Sequence, residues 1–350
     1  MGRKSLPTAS SPYPPLPTLM HTFTTNNNRS IYAFPVQAFP ELATNIYVID
    51  DGENLVLVDC GSGLDQSNKD LLLGFEEISA AKGISVGLAD VTHIFITHGH
   101  MDHFGGLKFV REHNPQAPIG VHQLDLRVLS NYEERRIVAS RRLEIFAEQA
   151  GVSAAERDRL LAMYLYAKDR YQSTPIDIIF EDGDILLDIE IHHAPGHCPG
   201  QVCFLVDDHM LTADHILGRI TPHQNPESIT LNTGLGTYID ALKKIKKVPG
   251  VAWALPGHEA VIGDMYARID DIITFHNGRL DRVRDICHTP KTIVEISREL
   301  FGETKSYHSL LALEEAGAHV EYLYQRGELI AANLAEIEKT RHPVIQYLSI

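Results

Sequence analysis

The sequence predicts an α/β fold class. Three observations carry this reading. Short apolar runs rich in Val, Ile and Leu recur through residues 31–60, 94–96, 189–212 and 251–255. Stretches of strong helix formers separate them. Several of the runs end in Asp, His or Gly, the small and turn-forming residues found where strands stop.

Taken in order, Asn45 to Asp50 reads as a strand, Asp51-Gly52 as a hairpin turn, and Leu55 to Val58 as the returning strand, closing on Asp59-Cys60-Gly61. Residues 68–82 read as a helix. Ile94-Phe95-Ile96 reads as a buried strand running into THGHMDHFGG, with a helix expected after Gly105-Gly106. Residues 124–172 contain no proline and are dense in helix formers, with Gly151 and Ser153 marking a stop and a restart. Two or three helices inserted into a β-rich domain are expected there. Strands return at Ile189–His193, Val202–Val206 and Met210–Thr212, and Val251–Leu255 precedes Pro256-Gly257-His258-Glu259. Beyond residue 262 the pattern is helical, with a β-wing expected around Arg326-Gly327-Glu328. The expected organisation is a flexible Pro/Ser-rich leader over 1–30, a catalytic domain over 31–275 with a helical insertion at about 124–172, and a C-terminal extension over 276–350.

The 350 residues are 44% hydrophobic and 22% charged, ordinary for a globular chain able to bury a large core. The net charge of −15 disfavours general binding to phosphate backbones. No apolar stretch reaches 18 residues, so no membrane span is expected, and the N-terminal residues lack the apolar region of a secretory signal. Four cysteines, Cys60, Cys198, Cys203 and Cys287, fit neither a disulfide framework nor a CxxC zinc site. Free buried thiols in a cytoplasmic protein are expected.

The stretch after Ile96 carries the chemistry. His98, His100, Asp102 and His103 fall within six positions. One strand-end loop can aim His98 and His100 one way and Asp102 and His103 at a neighbouring spot, offering two ligands to each of two metals. Two metals need more donors, and three further residues stand out at strand ends: His197 in APGHCPGQ, Asp214 in LTADHIL and His258 in LPGHE.

With these residues in place, the sequence resembles the metallo-β-lactamase superfamily. Asp59 matches the family's first motif, THGHMDH the second, His197 the third, Asp214 the fourth and His258 the fifth, over about residues 31 to 265. The resemblance implies a four-layer αββα sandwich. It implies that His98, His100 and His197 hold one metal, that Asp102, His103 and His258 hold a second, and that Asp214 bridges both. It makes Asp102, Asp214 and Asp59 the catalytic set, with Asp59 orienting a ligand. It implies two Zn2+ per chain, with Fe or Mn also suited to these donors. One departure is Ala213, where many members carry glycine.

The resemblance further implies a hydrolase that cleaves an ester, thioester or lactone by attack of a metal-bridging hydroxide, resembling the glyoxalase II and lactonase type. A metal-dependent endoribonuclease or phosphodiesterase is the alternative, and a mononuclear iron persulfide dioxygenase a further one. Secreted zinc β-lactamases usually carry Cys at the position of Asp214, and flavodiiron oxidoreductases carry Glu at that of His100, so neither is expected. The tail resembles the winged-helix-like extension of β-lactamase-like hydrolases. Six Lys or Arg against nine Glu over 291–350 argue against nucleic acid as its partner. The expected partners are a small acyl substrate and a second copy of the chain, as a homodimer. Tyr132, Tyr164, Tyr166 and Tyr171 are candidate pocket residues whose simpler role is helix packing. Arg135, Arg136, Arg141 and Arg142 form a basic cluster balanced by Glu133, Glu134 and Glu144. The remaining histidines, including His223, His276 and His319, are expected to be ordinary satisfied side chains.

Overall fold

The computed structural model describes residues 20–350. The strands are β1 (His21–Thr24), β2 (Ser30–Phe39), β3 (Leu42–Asp50), β4 (Leu55–Val58), β5 (His93–Phe95), β6 (Ile119–His122), β7 (Ile178–Phe180), β8 (Ile185–Leu186), β9 (Ile189–His193), β10 (Val202–Val206), β11 (His209–Ala213), β12 (Trp253–Pro256), β13 (Leu329–Ala331) and β14 (Tyr347–Ser349). The α-helices are α1 (Asp65–Lys82), α2 (Met101–Phe104), α3 (Leu107–His113), α4 (Leu126–Ser130), α5 (Tyr132–Gln149), α6 (Ala154–Lys168), α7 (Leu235–Ile245), α8 (Met265–Ile286), α9 (Ile293–Phe301), α10 (Tyr307–Gln325) and α11 (Leu334–Ile337).

The first seven strands form one sheet in chain order, and a second sheet runs β12-β11-β10-β9-β8. Their facing sides bury Ile31, Val58, Phe95 and Phe180 from the first sheet against Ile191, Phe204, Leu211 and Leu255 from the second. Each such side chain contributes about 1.5–3 kcal/mol when removed from water. The outer face of the first sheet is covered by α1 and α3 through Leu71, Phe75, Leu107 and Val110. The outer face of the second is covered by α7, α8 and α10 through Tyr238, Ile269, Leu313 and Val320. This is the expected αββα layering. Strands β4 and β5 run parallel, as do β11 and β12, and β9 follows them through its antiparallel neighbour β10. The loops that leave β4, β5, β9, β11 and β12 therefore gather at one rim of the sandwich, where ligands collect in open α/β sheets.

Two expected boundaries differ. Of the leader expected over 1–30, residues 1–19 lie outside the described residues, but His21–Thr24 is a strand paired with β2 in the register His21 to Ala33. Thr25 and Asn27 continue that attachment by hydrogen bonding to the Asp207 carboxylate. The boundary at 275/276 falls inside the 22-residue helix α8. The physical reason is an unbroken helical run from Met265, N-capped by Asp264. Moreover, the C-terminal helices do not own a separate core. Ile293, Leu310 and Leu313 pack in one cluster with Leu143, Phe146 and Leu160 of the insertion and with Met210 and Ala254 of the second sheet.

Candidate metal centre

The seven residues picked from the sequence meet in one place. Asp214 Oδ2 lies 3.5 Å from His197 Nε2, 3.3 Å from His258 Nε2 and 3.9 Å from His98 Nε2. Its other oxygen lies 3.4 Å from His103 Nε2. Asp102 Oδ2 lies 3.3 Å from His258 Nε2 and 3.6 Å from His103 Nε2. His100 Nδ1 is 3.1 Å from His98 Nε2. Donor atoms of His98, His100 and His197 fall in one group within 4.8 Å, and those of Asp102, His103 and His258 in another. Asp214 stands between the two.

The backbone around this cluster is shaped for it. Ala213 adopts φ 44, left-handed backbone that glycine enters most easily, which explains why a glycine is common there. The alanine side chain costs about 1–2 kcal/mol in that conformation. At Gly257 a Cβ would come within 2.4 Å of Asp214 Oδ1 and 2.9 Å of the His103 ring, so any side chain there would displace the central carboxylate.

Four of the five histidines are held from behind. Each presents Nε2 inward and has Nδ1 tied to an outer partner: Thr97 Oγ1 at 3.0 Å for His98, Asp59 at 2.7 Å for His103, the His223 carbonyl at 2.8 Å for His197 and the Ala43 carbonyl at 2.7 Å for His258. Such outer bonds select the tautomer and ring angle a metal requires. Asp59, in left-handed backbone at φ 63, also accepts from the Thr97 backbone N–H and hydroxyl, both at 2.8 Å. One side chain thus ties the His98 loop to His103.

Electrostatics and unmet valence agree with a cation. Burial opposes charge on His103, but Asp214, Asp59 and Asp102 outweigh it and push the imidazole up to about 10. Burial would raise Asp214, but His258 and His103 hold its carboxyl well below the usual carboxylate range. Burial, with neighbouring imidazoles, holds His98 and His100 well below the usual histidine value. The carboxylates therefore draw positive charge onto His103 and His258, while His98 and His100 beside them refuse protons. His103 Nε2, His197 Nε2 and Asp214 Oδ1 are buried without a hydrogen-bond partner. Buried polar atoms are seldom left so, and three converging on one point fit metal binding.

Two residues escaped the sequence reading. Asp125, fully buried, accepts from the Gly99 N–H at 2.7 Å and the Gly200 N–H at 3.0 Å, clamping the loop of His98 and His100 to that of His197. Its only signal is an acidic residue in the predicted insertion. Cys198, read as a packed core thiol, is buried but also lies 3.3 Å from His100 Nε2, and burial pushes its thiol well up. The basic cluster does not line the centre: Arg136 pairs with Asp169, Arg141 with Glu144, and Arg135 bonds Thr230. Tyr132 and Tyr171 pack on Phe104, and Tyr166 is 76% exposed. Lys168 places its ammonium 4.6 Å over the Tyr164 ring.

The sequence profile of the metallo-beta-lactamase superfamily matches residues 39–258, and the chain belongs to that superfamily. It is 23% identical over 275 residues to a lactamase-like protein, nscB, of Neosartorya fischeri, covering 78% of this chain and 65% of that one. The chain thus spans somewhat less than two thirds of that relative's length. It is 23% identical over 230 residues to the atrochrysone carboxyl ACP thioesterase AacuM of Aspergillus aculeatus, covering 65% of this chain and 54% of that one. A crystal structure of a metallo-beta-lactamase family protein from Thermus thermophilus superposes with a TM-score of 0.74 at 22% identity, covering 91% of this chain and 98% of that one. It shares the fold.

Proposed function

We propose that the chain is a dinuclear metallohydrolase acting on an acyl bond: an ester, a thioester or a lactone. The observation that carries this reading is the pair of donor groups on either side of Asp214, with His103 Nε2, His197 Nε2 and Asp214 Oδ1 buried and unpartnered. His98, His100 and His197 would hold one cation, Asp102, His103 and His258 the other, and Asp214 would span both. Zinc suits this donor set, as do iron and manganese. Two such cations, when bound, supply Lewis acidity and a nucleophile at neutral pH. The chain's own residues do the rest. Asp59 and the three other outer anchors keep Nε2 aimed inward. Asp125 keeps two ligand loops together.

The similarity to a named thioesterase supports an acyl substrate over a phosphodiester, as does the acidic C-terminal region. Among the described residues no helix is long and apolar enough to cross a membrane. A cytoplasmic setting is part of the proposal and is supported by four buried cysteines without disulfides; a homodimer is proposed as the commonest assembly of such chains.

The test is hydrolysis of matched acyl thioesters, esters and lactones by metal-loaded protein, with single-stranded RNA in the same plate and Asp214→Ala as blank. Turnover of acyl substrates alone is expected. Cleavage of RNA alone would replace this reading with a nuclease.

A further inference from the structure

A second buried polar cluster lies among the C-terminal helices. It comprises His276 and Arg279 on α8, Glu314, Glu315 and His319 on α10, and His223 on the connection between β11 and α7. Glu314 is 7% exposed and Glu315 6%. Burying carboxylates among helices is costly, and apolar side chains in their place are often as stable. Stability is therefore a poor reason for these groups.

Their contacts point toward the metal centre. Arg279 pairs with Glu315. Glu315 Oε2 accepts from the Gln224 backbone N–H at 2.8 Å and lies 3.6 Å from His223 Nδ1. His223 Nε2 donates to Glu314 Oε2 at 3.0 Å. Helix α10 thus grips residues 223 and 224 through both carboxylates. The carbonyl of the gripped His223 is the one that accepts from His197 Nδ1 at 2.8 Å.

The four outer anchors are not equally secure. Ala43 sits inside β3, and Asp59 and Thr97 closely follow β4 and β5. The His223 carbonyl lies in a stretch, 214–234, that contains neither helix nor strand. It is the anchor that needs an outside restraint.

We propose that Glu314 and Glu315 are positioning residues for His197, so that α10, acting through His223, sets the ring angle and tautomer of one metal ligand. The inference rests on the metal centre proposed above. It also explains why the C-terminal helices share a core with the second sheet: they hold part of its rim chemistry in register. The alternative use of the cluster, as a further metal site formed by His276, Glu315 and His319, fits less well. One Glu315 oxygen is taken by Arg279, and His319 Nδ1 lies 2.7 Å from the Glu315 carbonyl oxygen.

The experiment is cobalt titration of the metal-free full chain against a competing chelator, with visible spectra and metal counting, for wild type, Glu314→Gln and Glu315→Gln. Wild type should bind two cobalt ions. The variants should keep one at wild-type affinity, weaken the other about tenfold or more, and shift its visible bands, which a loss of general stability would not do. Wild-type affinity and spectrum in a folded variant overturns the inference. Should neither Gln variant fold, His223→Gln is read by the same two outcomes. A wild-type chain that binds no cobalt overturns the proposed centre, and this inference with it. A third cobalt, lost in His276→Asn, overturns the inference by making the cluster a metal site.

Discussion

Two buried histidine clusters among the described residues, one at the rim and one among the C-terminal helices, are built on opposite rules. At the rim of the sandwich, His98, His103, His197 and His258 satisfy their outer nitrogens and turn their inner ones toward Asp102 and Asp214. Among the C-terminal helices, His276 Nδ1 and His319 Nε2 lie 3.1 Å apart and bond each other, while Arg279 supplies the local cation to Glu315. One cluster converges unmet donors on a point, and the other satisfies most of its donors internally. The difference teaches that histidine density does not make a metal centre. What makes one is outward anchoring combined with inward atoms left unpaired.

The comparison breaks most visibly at Asp214. Asp214→Ala is expected to release at least one metal and nearly all activity, as read by metal analysis and turnover. Two retained metals with full rate would remove the bridging role. The outer anchors come next. Asp59→Ala leaves His103 Nδ1 without its acceptor and should weaken one metal about 10–100-fold, measured by chelator competition.

The Asp125 clamp adds a pH signature. Burial raises its carboxyl to about 6, above an unfolded value near 3.9. The folded chain therefore takes up this proton first on acidification. The stability it contributes is complete below about pH 4 and is lost as pH rises through about 6. Asp125→Asn removes that slope. Relative to wild type, the metal-free variant should gain about 2 kcal/mol between about pH 4 and pH 8 in denaturant titrations. A constant difference across that range would contradict the assignment. The smallest effect belongs to the second cluster. His276→Asn should cost about 1–2 kcal/mol through the lost bond to His319 and leave metal stoichiometry unchanged by elemental analysis.

Much of this is legible in the residues. Strands Leu55–Val58, Ile189–His193 and Val202–Val206 have the same bounds in the sequence as in the fold, because each is a short apolar run closed by turn formers. The seven candidate ligands stand out because metal donors crowd strand ends in a recognisable order. Other features are hidden for physical reasons. Strand β1, HTFT, is an edge strand with alternating exposure and no apolar run. Helix α7 follows a stretch rich in turn formers that masks its start. Asp125 and the Glu314–Glu315–His223 chain act through backbone groups far away in sequence, with partners up to 91 positions distant, and no local pattern announces such contacts.

The unbroken passage of α8 across residue 275 bears on how this chain can be recombined with its relatives. A crossover there would cut a continuous helix and pair half of one core with half of another. The C-terminal helices and the 124–172 insertion pack as one body against the second sheet, so they are a single unit of inheritance although some hundred residues part them. Shuffled together, they would carry their own packing with them. Shuffled apart, each would meet a surface shaped for a different partner.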